Sequence, residues 1–240
     1  MNSEFTAMDI KAGIQYLSKI DPDMKQLIDY FGTISLNDDD SDYYESLVKS
    51  IIYQQLNGKV ANAIYQRFRN LYPHNSIIDP QNVYQTPLKT LRSIGLSERK
   101  ATYIQGLSHK WISDEIEWNR FACMSNEEIG LVLKTVKGIG QWTVDMFLIF
   151  SLKRPDVFPT GDLGIRKALH VLCHLDDLPV IDEMLEIAEK WRPFRSLATL
   201  YLWKIADNNI SKLDKNTIFE TLGWVHSISP KSIAIGTNYD

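Results

Sequence analysis

Residues Leu133 to Leu169 read LKTVKGIGQWTVDMFLIFSLKRPDVFPTGDLGIRKAL, and the reading of the chain works outward from them. A helical pattern runs down into Val136-Lys137-Gly138-Ile139-Gly140. A long apolar helix begins near Gln141. A Pro/Gly turn, Phe158-Pro159-Thr160-Gly161, then presents Asp162 at the start of a third helix. Two glycines bracketing one apolar residue make a tight hairpin, because glycine accepts positive φ and lets another backbone approach closely. The first amides of the next helix have no intrahelical partner. Those donors, with the positive end of the helix dipole, suit a phosphate. Ile139 is placed to plug the hairpin into the core. On the glycines alone, a plain helix–turn–helix corner is the simpler reading.

The chain has 240 residues, enough for one large or two small, intimately packed domains. No apolar run approaches the roughly 20 residues of a membrane span. The first residues, MNSEFTAMDIKAG, lack the basic and apolar regions of a secretory signal, so an intracellular protein is expected. Cys123 and Cys173 lie far apart and outside any Cys-x-x-Cys, which argues against a disulfide scaffold or a Cys-ligated zinc or iron–sulfur site. His170 and His174 stand one turn apart with no evident third ligand. No cofactor is expected, and nothing in the sequence suggests an oligomer.

The formal net charge of −4 argues mildly against a nucleic-acid partner, but its distribution reverses that. Residues 1–45 hold 3 Lys/Arg and 10 Asp/Glu, residues 46–110 hold 9 and 2, and residues 131–173 hold 6 and 3. The basic excess covers the hairpin and the segment before it, where a phosphate backbone would lie. Solvated helix faces are the alternative reading.

Apolar spacing predicts helices throughout: two over 7–31, then about 43–54, 59–72, 87–94, 97–112, 126–135, 163–174, 180–190 and 196–207. No alternating pattern is long enough to require a sheet. Ser125 with Glu128 forms a capping box. The stretch 227–240 is rich in Ser, Pro and Gly and reads as a loose tail.

Three separated pieces carry a resemblance. They are Ser50-Ile51-Ile52-Tyr53-Gln54-Gln55-Leu56 with Ala61-Asn62-Ala63-Ile64; Gly138-Ile139-Gly140-Gln141-Trp142-Thr143; and Trp191-Arg192-Pro193-Phe194-Arg195-Ser196 with Ala198 and Tyr201-Leu202-Trp203. In order and spacing they resemble the helix-hairpin-helix DNA glycosylase superfamily. Within it they resemble the 3-methyladenine DNA glycosylase II, or AlkA-like alkylbase, branch, over roughly residues 40–208. The resemblance implies an all-α fold with two helical subdomains flanking a cleft. One would be formed by the termini, residues 1–42 and 175–226. The other, 43–174, would hold the hairpin (about 131–150) and a catalytic loop (155–163).

The resemblance implies a base-excision repair enzyme acting on damaged double-stranded DNA. Its catalytic acid would be Asp162, 22 residues after Gly140. A carboxylate near the anomeric carbon stabilises the positive charge that builds on the sugar as the base departs, and orients a water. The helix start is a favourable place for a carboxylate, though Asp is also a common plain N-cap; Asp145 is a reserve candidate. Trp142 and Trp203 match base-pocket positions, with Tyr201 and Met146 beside them. Flat aromatic faces bind electron-poor alkylated purines by stacking and cation–π attraction, while core packing is the ordinary use of such residues. Bifunctional relatives carry a nucleophilic Lys where Trp142 stands, so a monofunctional enzyme leaving an abasic site is implied. 3-Methyladenine and 7-methylguanine are the implied substrates.

Extruding a nucleotide leaves a hole in the stack that a side chain must fill. The resemblance places this wedge at the Gln54-Gln55 turn, which makes Gln55 and Leu56, then Asn57, the candidates; the alternative is that Leu56 is core and Gln55 a surface cap. Lys137, Gly138, Ile139, Gly140, Gln141 and Thr143 would meet the DNA backbone, with Arg99 and Lys100 as weaker phosphate contacts. Relatives also bind a monovalent cation through hairpin carbonyls, matching Lys134, Val136 and Ile139 here. The rival readings are a glycosylase of different lesion specificity and a non-catalytic helix-hairpin-helix DNA-binding protein.

Overall fold

The computed structural model describes residues 7–34, 42–73 and 77–207. Residues 208–226, assigned above to the terminal subdomain, and the 227–240 tail lie outside the described residues. The described helices are α1 (Ala7–Ile20), α2 (Pro22–Phe31), α3 (Tyr43–Tyr53), α4 (Gly58–Asn70), α5 (Pro80–Gln85), α6 (Leu88–Ser93), α7 (Glu98–Ile112), α8 (Asn126–Leu133), α9 (Gln141–Met146), α10 (Leu163–Leu172), α11 (Ile181–Glu189) and α12 (Arg195–Asp207). Among the described residues there is no strand, and no helix is long and apolar enough to cross a membrane.

Local chemistry sets the helix starts. Asp21 accepts from the Asp23 and Met24 amides ahead of Pro22, a residue suited to a first turn. Ser97 caps α7, and Ser125 with Glu128 closes a full capping box on α8. The stripe Leu47, Ile51 and Ile52 of α3 is wholly buried. It lies among α4, α7 and α9, and α5 and α6 pack on α7.

α1, α2 and α12 form the second group, and α10 belongs with them: it packs most extensively on α12. This places 163–172 with the terminal helices rather than with 43–174. The reason is the α10 stripe Ile165, Ala168, Leu169 and Leu172, which is buried along its whole length and must be covered by another helix. Polar ties hold this group together. The Trp191 indole donates to Asp21 Oδ2 at 2.7 Å in the interior, and Lys190 adds an ion pair at 2.9 Å. The Tyr201 hydroxyl donates to the Gly32 carbonyl at 2.9 Å, fastening α12 to the end of α2.

Two features position the segment that ends at Asp162. After α9 the chain makes a π-helical turn over Phe147–Ser151, with the Leu152 amide reaching back five residues to the Phe147 carbonyl (3.0 Å). Beyond it, the start of α12 pins the loop. Ser196 Oγ donates to the Arg154 carbonyl (2.6 Å) and accepts from the Val157 amide (2.9 Å), and Arg195 Nε donates to Asp156 Oδ1 (2.6 Å). The Arg154 guanidinium is itself buried, donating to the Phe121 and Met124 carbonyls. The Arg195-Ser196 pair thus sets the path of the loop.

Candidate active site

Asp162 is the N-cap of α10, half-buried at the end of the pinned loop. Its Oδ1 accepts from the Ile165 amide at 2.9 Å, so the capping role is real. Its Oδ2 accepts from the Trp142 indole N–H at 2.7 Å, which joins the hairpin helix to the acid. Neither bond exhausts the carboxylate: each oxygen keeps a further lone pair. Gly164 makes room for this corner. A Cβ there would stand 3.0 Å from Asp162 Oδ1, 3.4 Å from Ala206 Cβ and 3.9 Å from Trp203 Cδ1. Trp203 therefore lies beside the acid, as Trp142 does.

Phe150 completes this corner, and sequence reading missed it. Its ring stacks on Trp203 with centroids 5.5 Å apart and planes 16° from parallel, yet it is 43% exposed. An exposed aromatic eight residues after Trp142 was the available signal. The π-helical turn shifts the register and hides it from a 3.6-residue pattern.

The other pocket candidates are placed differently. Tyr201 is wholly buried and its hydroxyl is used on Gly32, so it is a core residue with no surface left for a base. Met146 is only 8% exposed and packs in the same core as Phe147 and Leu148. Asp145, the reserve acid, is 6% exposed and accepts from Gln141 Nε2 at 2.8 Å. Burial pushes its carboxyl up to about 6, while the Gln141 bond and the Lys134 charge pull it back.

The hairpin is built from two unlike glycines. Gly138 has φ +96°, and a Cβ there would stand 2.2 Å from the Tyr103 ring. Gly140 has φ −101°, and a Cβ there would meet nothing within 4 Å. Between them Ile139 is buried, as is Val136 before them, and Lys137 is exposed. Gln54 braces the turn: Nε2 donates to the Gly138 carbonyl (2.8 Å) and to Thr143 Oγ1 (3.1 Å). Thr143 is consequently buried, and its hydroxyl faces the protein, not a ligand. Gln141, at the first position of α9, is exposed.

The Gln55 turn lies next to this brace. Gln55 takes φ +56°, an unusual conformation for a residue with a side chain, and it is exposed, as is Leu56 at 38%. Asn57 accepts from the Val60 amide at 2.9 Å and serves as the cap of α4. Lys100 is not directed at solvent. Its ammonium donates to the Ile52 (2.8 Å) and Gln54 (2.6 Å) carbonyls at the end of α3, and burial lowers its pKa. Arg99 is exposed and reaches the Tyr103 hydroxyl at 3.2 Å.

A hairpin turning on Gly138 and Gly140, an indole-bound acid at the next helix start and an exposed turn at Gln55 define a class. Residues 48–193 match the model of the HhH-GPD superfamily base excision DNA repair protein, and the chain belongs to that family. Among individual relatives, it is 36% identical over 192 residues to DNA-3-methyladenine glycosylase 1 of Schizosaccharomyces pombe, covering 79% of this chain and 84% of that protein. The solved structure of the S. pombe 3-methyladenine DNA glycosylase in complex with abasic DNA superposes with TM-score 0.75 at 34% identity, covering 85% of this chain and 98% of that one. A DNA-3-methyladenine glycosidase from Bacillus halodurans gives TM-score 0.69 at 28% identity, over 88% and 94% of the two chains.

Proposed function

We propose that the protein is a monofunctional alkylbase DNA glycosylase. It bends duplex DNA, extrudes an alkylated purine, hydrolyses the N-glycosidic bond and leaves an abasic site. The observation that carries this reading is the 2.7 Å bond from the Trp142 indole to Asp162 Oδ2. It joins the hairpin to the carboxylate, and it sets an indole, which cannot form a Schiff base, where a lyase would carry its amine. The names of the relatives support 3-methyladenine as a substrate; 7-methylguanine, with hypoxanthine and ethenoadenine as further candidates, extends the proposal to other modified purines.

Bond cleavage here needs little leaving-group activation, since alkylation has already weakened the glycosidic bond. The carboxylate of Asp162 stabilises the developing oxocarbenium and orients the attacking water. Trp142, Trp203 and Phe150 offer aromatic faces and edges to a cationic purine. Gln55 and Leu56 fill the vacated place in the stack. The turn at Lys137–Gly140 and the first amides of α9, with Gln141, take the phosphate backbone, where an open Gly140 allows close approach. A monovalent cation on the carbonyls of Lys134, Val136 and Ile139 belongs to the same reading. The Val136 carbonyl accepts the Ile139 amide at 3.1 Å and keeps a second lone pair for it. Such an ion adds positive charge at the turn and takes no part in bond cleavage.

The test is base release from methylated duplex DNA by wild type and Asp162→Asn at matched DNA affinity. Release of 3-methyladenine by wild type alone, with strand cleavage only after alkali, is the expected result. Strand cleavage without alkali would overturn the monofunctional reading. Binding without release by either protein would leave a DNA-binding module.

A further inference from the structure

We infer that Asp145 is a positioning residue: through Gln141 it holds the Lys134 ammonium across the hairpin, at the turn that meets the DNA backbone. The inference rests on the DNA-binding reading above. Lys134 ends α8, Gln141 opens α9, and Asp145 lies one turn further on. The Gln141 amide bridges the other two. Its Nε2 donates to Asp145 Oδ1 at 2.8 Å, and its Oε1 accepts from Lys134 Nζ at 3.1 Å.

A primary amide has one donating and one accepting end. The acid on one side therefore decides which end Lys134 meets. With a carboxylate at Asp145, the NH2 turns inward and the carbonyl oxygen faces the ammonium. The Lys134 stem is guided as well: its Cε lies 4.0 Å from where a Gly130 Cβ would stand, beside Val144. Asp145 is too buried to touch a ligand itself, and an uncompensated carboxyl in the interior is unfavourable. Its carboxylate is bonded to Gln141, which lies on the exposed face of the hairpin.

Protonation removes the constraint, because a carboxylic acid can donate as well as accept. A neutral Asp145 can donate to Gln141 Oε1, which turns the amide and points its NH2 at Lys134, so that two donors face each other and the lysine is released. Burial raises this carboxyl to about 6, and Lys134 is the charged group acting on it across the α8–α9 contact.

The experiment measures binding to undamaged and abasic duplexes as a function of salt at pH 7.5, for wild type, Asp145→Asn, Lys134→Gln and the double variant. One phosphate contact contributes about 0.9 to the slope of log affinity against log salt, or about eightfold at 0.1 M salt. Lys134→Gln should lose about that much. Asp145→Asn should lose part of the same slope, because an Asn amide can present either end to Gln141 and so no longer fixes which end faces Lys134. The double variant should be no weaker than Lys134→Gln alone. Wild type should lose the same slope as pH falls through 6, and Asp145→Asn should not. An Asp145→Asn protein with the full slope would overturn the inference, whether it lost thermal stability or base release, and so would additive losses. Salt-independent binding by wild type would overturn the DNA reading beneath it, and shows in wild type alone.

Discussion

The two hairpin glycines are present for different physical reasons, and substitution by alanine should separate them. At Gly138 an added Cβ would stand 2.2, 2.4 and 2.8 Å from three atoms of the Tyr103 ring, against a normal carbon contact of about 3.5–4.0 Å. The ring must retreat by an ångström or more, away from its contact with Arg99. Overpacking of this kind costs about 1–3 kcal/mol. The backbone at φ +96° adds about 1 kcal/mol for a residue with a Cβ. A total near 3 kcal/mol corresponds to a fall in Tm of about 6–12 °C for a chain of this size. At Gly140 the backbone is ordinary and the space is open, so Gly140→Ala should melt within about 2 °C of wild type. Its defect should appear in DNA affinity, where the added methyl stands between the backbone and a phosphate. Thermal melts by circular dichroism and DNA titrations by fluorescence polarisation read the two effects. The reasoning fails if Gly138→Ala melts with wild type, or if Gly140→Ala loses as much stability as Gly138→Ala.

Other outcomes follow from the same contacts. Asp162→Asn keeps an N-cap oxygen, so its Tm should stay near wild type while single-turnover base release falls by about 100-fold or more; Asp162→Ala should lose a further ~1 kcal/mol of stability with the cap. Tyr201→Phe removes the donor to Gly32 and should cost about 1 kcal/mol in denaturant unfolding with lesion preference unaltered; a changed preference would return the ring to the pocket. Asp145 has its carboxyl raised in the folded state from 3.8 to about 6, so its stabilising contribution is present below pH 3.8 and lost as pH rises through 6. Asp145→Asn should accordingly match wild type near pH 4 and exceed it by up to about 3 kcal/mol above pH 6; a stability difference flat in pH would contradict this.

The parts of the molecule legible in sequence were those fixed by local chemistry. Glycine and proline punctuation marked the hairpin and the loop, and caps such as Ser125 and Asp162 marked helix starts, because each acts within three or four residues. What escaped depends on partners distant in sequence. Lys100 looked like a surface cation, but the carbonyls it closes lie 46 and 48 residues away. Thr143 looked like a ligand contact until Gln54, 89 residues earlier, claimed its hydroxyl. Tyr201 belongs to a run, Ser196 to Leu202, that is buried on every side, so periodicity could not say which face met a cleft. Phe150 was hidden by one extra residue in a helical turn.

The Gln54 side chain has a mechanical consequence. The Gln55 turn and the Gly138 turn are separate in sequence, yet one amide spans from the first to the second, and Lys100 locks the near end of that span. The gap between the two turns is thereby preset, like that of a caliper whose screw has been tightened. If both turns meet the DNA, as proposed above, a straight duplex that does not match the gap would have to deform to fill both points at once. Helix segments that deform cheaply, such as those with weakened stacking or pairing, would satisfy the gauge first. The protein would then begin to discriminate by the stiffness of the duplex, before any base has entered the site beside Asp162.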